Sequence, residues 1–205
     1  MEFLKTSITT LCLIATSVFF AQDSKTTQSA FSKSYTYEAK YEYEEAIKAV
    51  KEVYSEKSYP IHARLGWLYY VNKNYASSIN CYQKAHDLMP AAAEPLWGML
   101  SPLIALEKWT EVEKTYFSIL KLEPKNATAH YKLGMIYYYR KNYTNAKKYF
   151  DIALNLYPLD YNSLLMTAWT HYFLGNMNEA KVLFNRVLLL YPTDSSAIEG
   201  LSLIK

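Results

Sequence analysis

The chain is poor in the residues on which several fold classes depend. Its 205 residues include five glycines and seven prolines, too few for a β protein assembled from many tight turns. Cysteine occurs twice, as Cys12 and Cys81, which excludes a disulfide framework. Charge of one sign is also lacking. The formal net charge is +3, and basic residues are scattered among acids, so the basic stripe of a nucleic-acid binder is absent and no DNA or RNA partner is expected. There is no glycine-rich phosphate loop, nucleophile elbow or zinc-binding helix motif.

The first 21 residues differ from the rest. Lys5 supplies a short basic start, Ile8 to Phe20 form a largely apolar run, and Ala21-Gln22 offers a cleavage point, the pattern of a secretory leader over 1–21. The run is shorter than the roughly 20 residues that span a bilayer. Phe19 stands where cleavage sites favour a small residue, which leaves an uncut anchor as the alternative. Leu11 before Cys12 argues against a lipid anchor. Once the leader is removed, the chain keeps no transmembrane span, and Cys81 has no intrachain partner. Residues 22–27 are polar and are expected to be mobile.

The rest of the chain is periodic. Hydrophobic residues make up 51% of the sequence and tyrosine alone supplies 21 positions, which argues against disorder. Pro90, Pro124, Pro158 and Pro192 recur every 34 residues. With the proline set at place 32, units begin at Tyr59, Ala93, Ala127 and Tyr161. Leu65-Gly66 and Leu133-Gly134 then share places seven and eight, and Tyr69 and Tyr137 share place eleven. Ala146 and Ala180 share place twenty, and Tyr82, Tyr116, Phe150 and Phe184 share place twenty-four. Places four, seven, eight and eleven make one face of a first helix; places twenty, twenty-four and twenty-seven make one face of a second. Small residues at eight and twenty allow close approach, and rings fill the space beside the crossing. Proline ends the second helix, and Asn126, Asp160 and Asp194 are placed to cap the next.

These residues resemble the tetratricopeptide-repeat pattern, a 34-residue helix-turn-helix unit. The resemblance implies an all-α, right-handed α-solenoid. Full repeats are expected at 59–92, 93–126, 127–160 and 161–194, a degenerate unit at 28–58, and a capping helix at 195–205. In the degenerate unit, residues 43–56 should be the second helix, and Ser34 and Tyr37 suit a first helix although Lys33 stands where leucine belongs. The unit at 93–126 departs from the pattern, with Leu100 at the crossing and Pro102 inside the first helix, four places after Gly98. Either the stack tolerates this drift, or a bend there shapes a pocket beside Trp97.

In such repeats the first helices line a concave groove through places two, five, nine, twelve and thirteen. Here those places supply Trp67, Tyr70, Trp97, Tyr131, Met135, Tyr138, Trp169 and Tyr172, with Arg64 and Lys132 expected at the rim. The family's carboxylate-gripping residues are not matched, since Ala63, Trp67, Tyr131 and Met135 occupy the corresponding places. An aromatic groove suits an apolar or aromatic segment of a partner protein. Rings at places five and twelve also serve the family as packing, whereas Trp67, Met135 and Trp169 at place nine are harder to account for in that way.

Chemistry finds little support. His62 and His130 share a place two units apart, roughly 20 Å if helices pack 8–10 Å apart, so they cannot share a metal. His86 and His171 have no ligand-spaced partners, and no metal or cofactor is expected. Glu94 and Glu199 are the acids on the groove side, three units apart, and Cys81 lies mid-helix without a histidine at helical spacing. The sequence therefore points to a non-enzymatic, exported interaction scaffold in a bacterial periplasm or extracellular space. The alternative is a structural element that buries the same rings against another copy as a homo-oligomer.

Overall fold

The structure, a computed structural model, describes residues 24–204; the leader expected at 1–21 lies outside the described residues. Every regular element among the described residues is helical. Helix α1 covers 24–38, so it takes in most of the segment read as a polar lead-in. It is followed by α2 (Tyr43–Lys51), α3 (Tyr59–Val71), α4 (Tyr75–Leu88) and α5 (Glu94–Ala105). The chain divides into two compact units between Glu107 and Lys108. The second unit holds α6 (Trp109–Leu122), α7 (Ala127–Tyr139), α8 (Tyr143–Leu156), α9 (Tyr161–Phe173), α10 (Met177–Leu190) and α11 (Ser195–Leu203). Within each unit, helices adjacent in sequence pack together, and first helices of neighbouring repeats also touch, α3 with α5 and α9 with α11. This is the packing of an α-solenoid.

Helices α4, α6, α8 and α10 all stop two residues short of the repeating proline. The residue before each proline is the reason. Met89, Glu123, Tyr157 and Tyr191 have φ near −130° and ψ between 72° and 83°, because the proline ring denies that position a helical backbone. Two residues beyond the proline, Asn126, Asp160 and Asp194 accept hydrogen bonds from the backbone N–H of Ala129, Ser163 and Ala197 at 2.9, 2.7 and 2.7 Å. A cap of this kind is worth about 1 kcal/mol.

The hairpins close on rings that fit where a Cβ is missing. A Cβ on Gly134 would stand 2.5 Å from Phe150, and one on Gly66 would stand 2.9 Å from Tyr82. Glycine at place six matters as much as at place eight. A Cβ on Gly98 would lie 2.4 Å from Tyr82, and one on Gly200 would lie 2.3 Å from Phe184. Gly98 thus admits the Tyr82 ring to α5. Pro102 leaves the helix unbroken, since α5 runs on to Ala105 and Leu106 N–H bonds the Pro102 carbonyl at 3.1 Å.

The turn between first and second helices uses a left-handed residue at place fifteen: Lys73 (φ 60°), Glu107 (54°), Lys141 (56°) and Gly175 (80°). Only the last is glycine. Helix α2 is shorter than the 43–56 expected, ending at Lys51. Val53 turns onto the core of Ile61 and Leu65, and Tyr54 meets the His62 ring edge-on at 5.6 Å. In the second unit, Glu113 of α6 accepts hydrogen bonds from Tyr137 of α7 and from Arg140 just beyond its end. Burial pushes the Glu113 carboxyl up, but these two bonds and the Arg140 charge outweigh it and hold the group below 4.5.

Gly134→Ala is expected to destabilise the protein by about 1–3 kcal/mol despite its better helix propensity, because the Phe150 ring is fully buried and has nowhere to move; denaturant unfolding measures it. Lys141→Gly should stabilise by up to about 1 kcal/mol by relieving a left-handed backbone, read as a raised melting midpoint. For Glu113, a lowered folded pKa means its contribution is complete above 4.5 and is lost as pH falls through the folded value. Glu113→Gln should therefore cost about 1 kcal/mol at neutral pH and lose less stability than the wild type below pH 4.5 in an acid titration.

Candidate functional site

In the first unit, α3 and α5 form the walls of a cavity of about 560 Å³ that α1 flanks. Trp67, Trp97, Tyr35 and Tyr59 face it, with the Tyr82 ring at its floor and Glu94 and Arg64 as its charged members. Pro60 gives α3 its N-terminal turn, a position where its missing N–H does no harm. This sets Tyr59 beside the start of α5, and Tyr59 Oη–H donates to Glu94 Oε2 at 2.9 Å. Burial, and then the bond to Glu94, push the Tyr59 hydroxyl up to about 12, so it remains a donor across the physiological range. Burial likewise pushes Tyr82 up to about 12.

Arg64 is not at a rim. Its side chain is 7% exposed and reaches α1, where Nε–H donates to Ser34 Oγ at 2.9 Å and Nη2 pairs with Glu38 Oε2 at 2.6 Å. The Tyr35 ring covers the guanidinium at 3.9 Å. Helix α1 therefore consumes the charge that the sequence reading left to solvent. Trp67 is 42% exposed, and its indole N–H donates to Glu38 Oε1, leaving the ring itself for contact. Tyr70 is half-buried between Trp67 and Tyr75, at 5.8 and 6.1 Å.

In the second unit the expected residues gather into one pile of rings. Tyr131 and Tyr138 lie 5.6 and 6.4 Å from Phe150. Tyr138 also meets Phe173 at 5.9 Å, and Phe173 stacks on Tyr143 at 4.8 Å. Burial pushes the Tyr138 hydroxyl up to about 12. Trp169 packs against Phe184 at 5.0 Å and donates from Nε1 to Ser196 Oγ at 2.9 Å, so its ring ties α11 to the stack. Tyr172 sits against Trp169 at 5.6 Å, and Met135 is half-buried. Lys132 is exposed, with its ammonium 5.9 Å from the Tyr131 ring centre. Phe173 and Tyr139, at 46% and 75% exposure, are the most open members of this face.

The place-nine residues thus divide: Trp67 is open, Met135 intermediate, and Trp169 engaged in packing. Sequence reasoning missed the pairing of a place-one tyrosine with an acid at the start of the next first helix. That pairing occurs twice, as Tyr59 with Glu94 and as Tyr161 Oη–H to Asp194 Oδ2 at 2.6 Å. The signal was a tyrosine followed by an acid 33 to 35 positions later. It also missed Ser34 and Glu38, whose i,i+4 spacing on α1 matches one guanidinium.

His62 and His130 serve the fold. His62 Nε2 bonds the Glu56 carbonyl at 3.0 Å and His130 Nε2 bonds the Pro124 carbonyl at 2.9 Å, the same contact six residues back in both repeats. A carbonyl only accepts, so Nε2 carries the proton in each ring. Burial, then the Lys147 charge, hold His171 below 6.5. Burial pushes the Cys81 thiol up, which opposes thiolate chemistry. Among the described residues, no three His, Cys, Asp or Glu side chains gather as a metal site, and no helix is long and apolar enough to cross a membrane.

The tetratricopeptide-repeat profiles match residues 59–92, 127–160 and 162–194. Two of these spans coincide with the units that begin at Tyr59 and Ala127. No curated protein matches the chain. Among solved structures, it is similar to a tetratricopeptide-repeat protein from Parabacteroides merdae, at 21% identity and a TM-score of 0.72, over 87% of this chain and 72% of that one. MamA from Desulfovibrio magneticus aligns at 15% identity and a TM-score of 0.67, over 83% and 97% of the two chains. YrrB, described as a tetratricopeptide-repeat protein with an unusual peptide-binding site, aligns at 14% identity and 0.66, over 85% and 91%. With the 34-residue period and the proline joints, the profile matches place the chain in the tetratricopeptide-repeat family, and the solved structures share its fold.

Proposed function

We propose that this chain is a non-catalytic scaffold, exported to a bacterial envelope, that holds an apolar or aromatic segment of a partner protein against its first-helix faces. The observation that carries this reading is the concentration of rings on those faces that packing does not fully cover. Trp67 borders the cavity of the first unit at 42% exposure, and Phe173 and Tyr139 remain open on the second at 46% and 75%. Tryptophan and tyrosine offer large rigid contact area at low entropy cost, and a contiguous exposed apolar patch marks an interface. The similarity to YrrB agrees with peptide binding. Export rests on Lys5, the apolar run to Phe20 and Ala21-Gln22.

Crosslinking the tagged chain in its native envelope should recover a protein partner. Trp67→Ala combined with Phe173→Ala should reduce that recovery at least tenfold while leaving the helical content unchanged. Both rings are open, at 42% and 46% exposure, whereas Trp169 is half-buried against Phe184 and bound to Ser196. Unchanged recovery would remove the ring faces from the reading. A dimer that dissociates on dilution in light scattering would assign the same rings to a second copy. Amino-terminal sequencing of the exported chain should begin at Gln22; retention of residues 1–21 would restore the uncut anchor.

A further inference from the structure

The cavity of the first unit combines π faces with an excess of negative charge. Its fixed cation, Arg64, is already neutralised: Nη2 pairs with Glu38 at 2.6 Å, Nε–H is taken by Ser34, and the Tyr35 ring lies 3.9 Å over the guanidinium. Glu94 is the remaining charged group on the wall, exposed, with the neutral Tyr59 hydroxyl bound to it at Oε2. Arg64, Glu38 and Glu94 together carry one net negative charge. Trp67 and Trp97 face the same space, and its volume of about 560 Å³ exceeds that of any single side chain.

We propose that this cavity is a receptor for a basic side chain, arginine or lysine, presented by the partner's docked segment. The proposal deepens the scaffold reading and rests on it. A cation beside an indole face is attracted by the ring quadrupole, more strongly as it is desolvated, and a carboxylate at the wall adds a charge-assisted hydrogen bond. The cavity already shows this chemistry once, in the stacking of Arg64 on Tyr35. An acidic side chain meets the opposite situation. It would approach Glu94 and Glu38, and the one guanidinium that could answer it is covered and paired. The segment that fits is therefore apolar with a single embedded cation, so that its flanks lie on the rings while the charge reaches Glu94.

Three acetylated and amidated peptides, Gly-Ser-Leu-X-Leu-Ser-Gly with X as arginine, glutamine or glutamate, test this on the full chain. Binding is followed through the four indole N–H resonances, which separate Trp67 and Trp97 in the first unit from Trp109 and Trp169 in the second. The arginine peptide should shift Trp67 and Trp97 and bind roughly tenfold more tightly than the glutamate peptide, with glutamine between them. Glu94→Gln keeps an acceptor for Tyr59 and should weaken only the arginine peptide, by roughly threefold, to the level of glutamine. Added salt should weaken the same peptide. Equal binding of the arginine and glutamine peptides would overturn the cation receptor and leave the ring-lined scaffold standing. Tighter binding of the glutamate peptide would make Arg64 the reading group and overturn the proposal, as would the absence of any shift at Trp67 and Trp97. In that last case the scaffold reading is still judged separately, by partner recovery from the envelope.

Discussion

Tyr82 has glycine on two sides, Gly66 of α3 and Gly98 of α5, and a Cβ at either would intrude on its ring. The second unit repeats the device with Phe150 against Gly134 and Phe184 against Gly200. Everything else in each unit follows from that contact. A ring seated on bare helix backbone brings the axes close, buries the small residues Ala146 and Ala180 at the crossing, and sets the register in which leucines and valines interlock around it. Dispersion falls off so steeply that a gap of about 1 Å would forfeit a quarter to a half of the attraction at each atom. The hairpin therefore holds as a close-fitting unit or loses most of what holds it.

The same contact frees the opposite face. Because the second helix supplies the ring that fills the crossing, the first helix can spend its remaining side chains elsewhere. In the first unit Trp67, Trp97 and Glu94 border a cavity whose floor is the Tyr82 ring itself. Structural packing and candidate recognition thus share one side chain. Its hydroxyl is held protonated by burial, so the floor offers a neutral surface. In the second unit the outward rings pack on one another, with Phe173 stacked on Tyr143 and Trp169 bound to Ser196.

What could be read from the sequence was whatever chemistry is local. Proline acts on the residue before it, an asparagine or aspartate caps the helix it precedes, and a glycine at place eight recurs in register, so the joints and the hairpins were legible. Contacts between repeats were not. Arg64 looks like a surface cation until α1 brings Ser34 and Glu38 to it. Trp169 looks like a groove residue until α11 offers Ser196. Gly98 looks like a concession to Pro102, yet its neighbour is Tyr82, sixteen positions earlier in the chain. The early end of α2 depends on His62 and Ile61 of the following helix, which no local rule contains.

Ring and missing Cβ act as a pair, and a double-mutant cycle on Gly98 and Tyr82 measures that coupling. Gly98→Ala and Tyr82→Leu would be made singly and together, and their unfolding free energies compared. If the ring is what the added methyl strikes, the cost of Gly98→Ala should largely vanish in the Tyr82→Leu background, giving a coupling of about 1 kcal/mol or more. Strictly additive losses would show that the glycine and the ring contribute independently and are not paired.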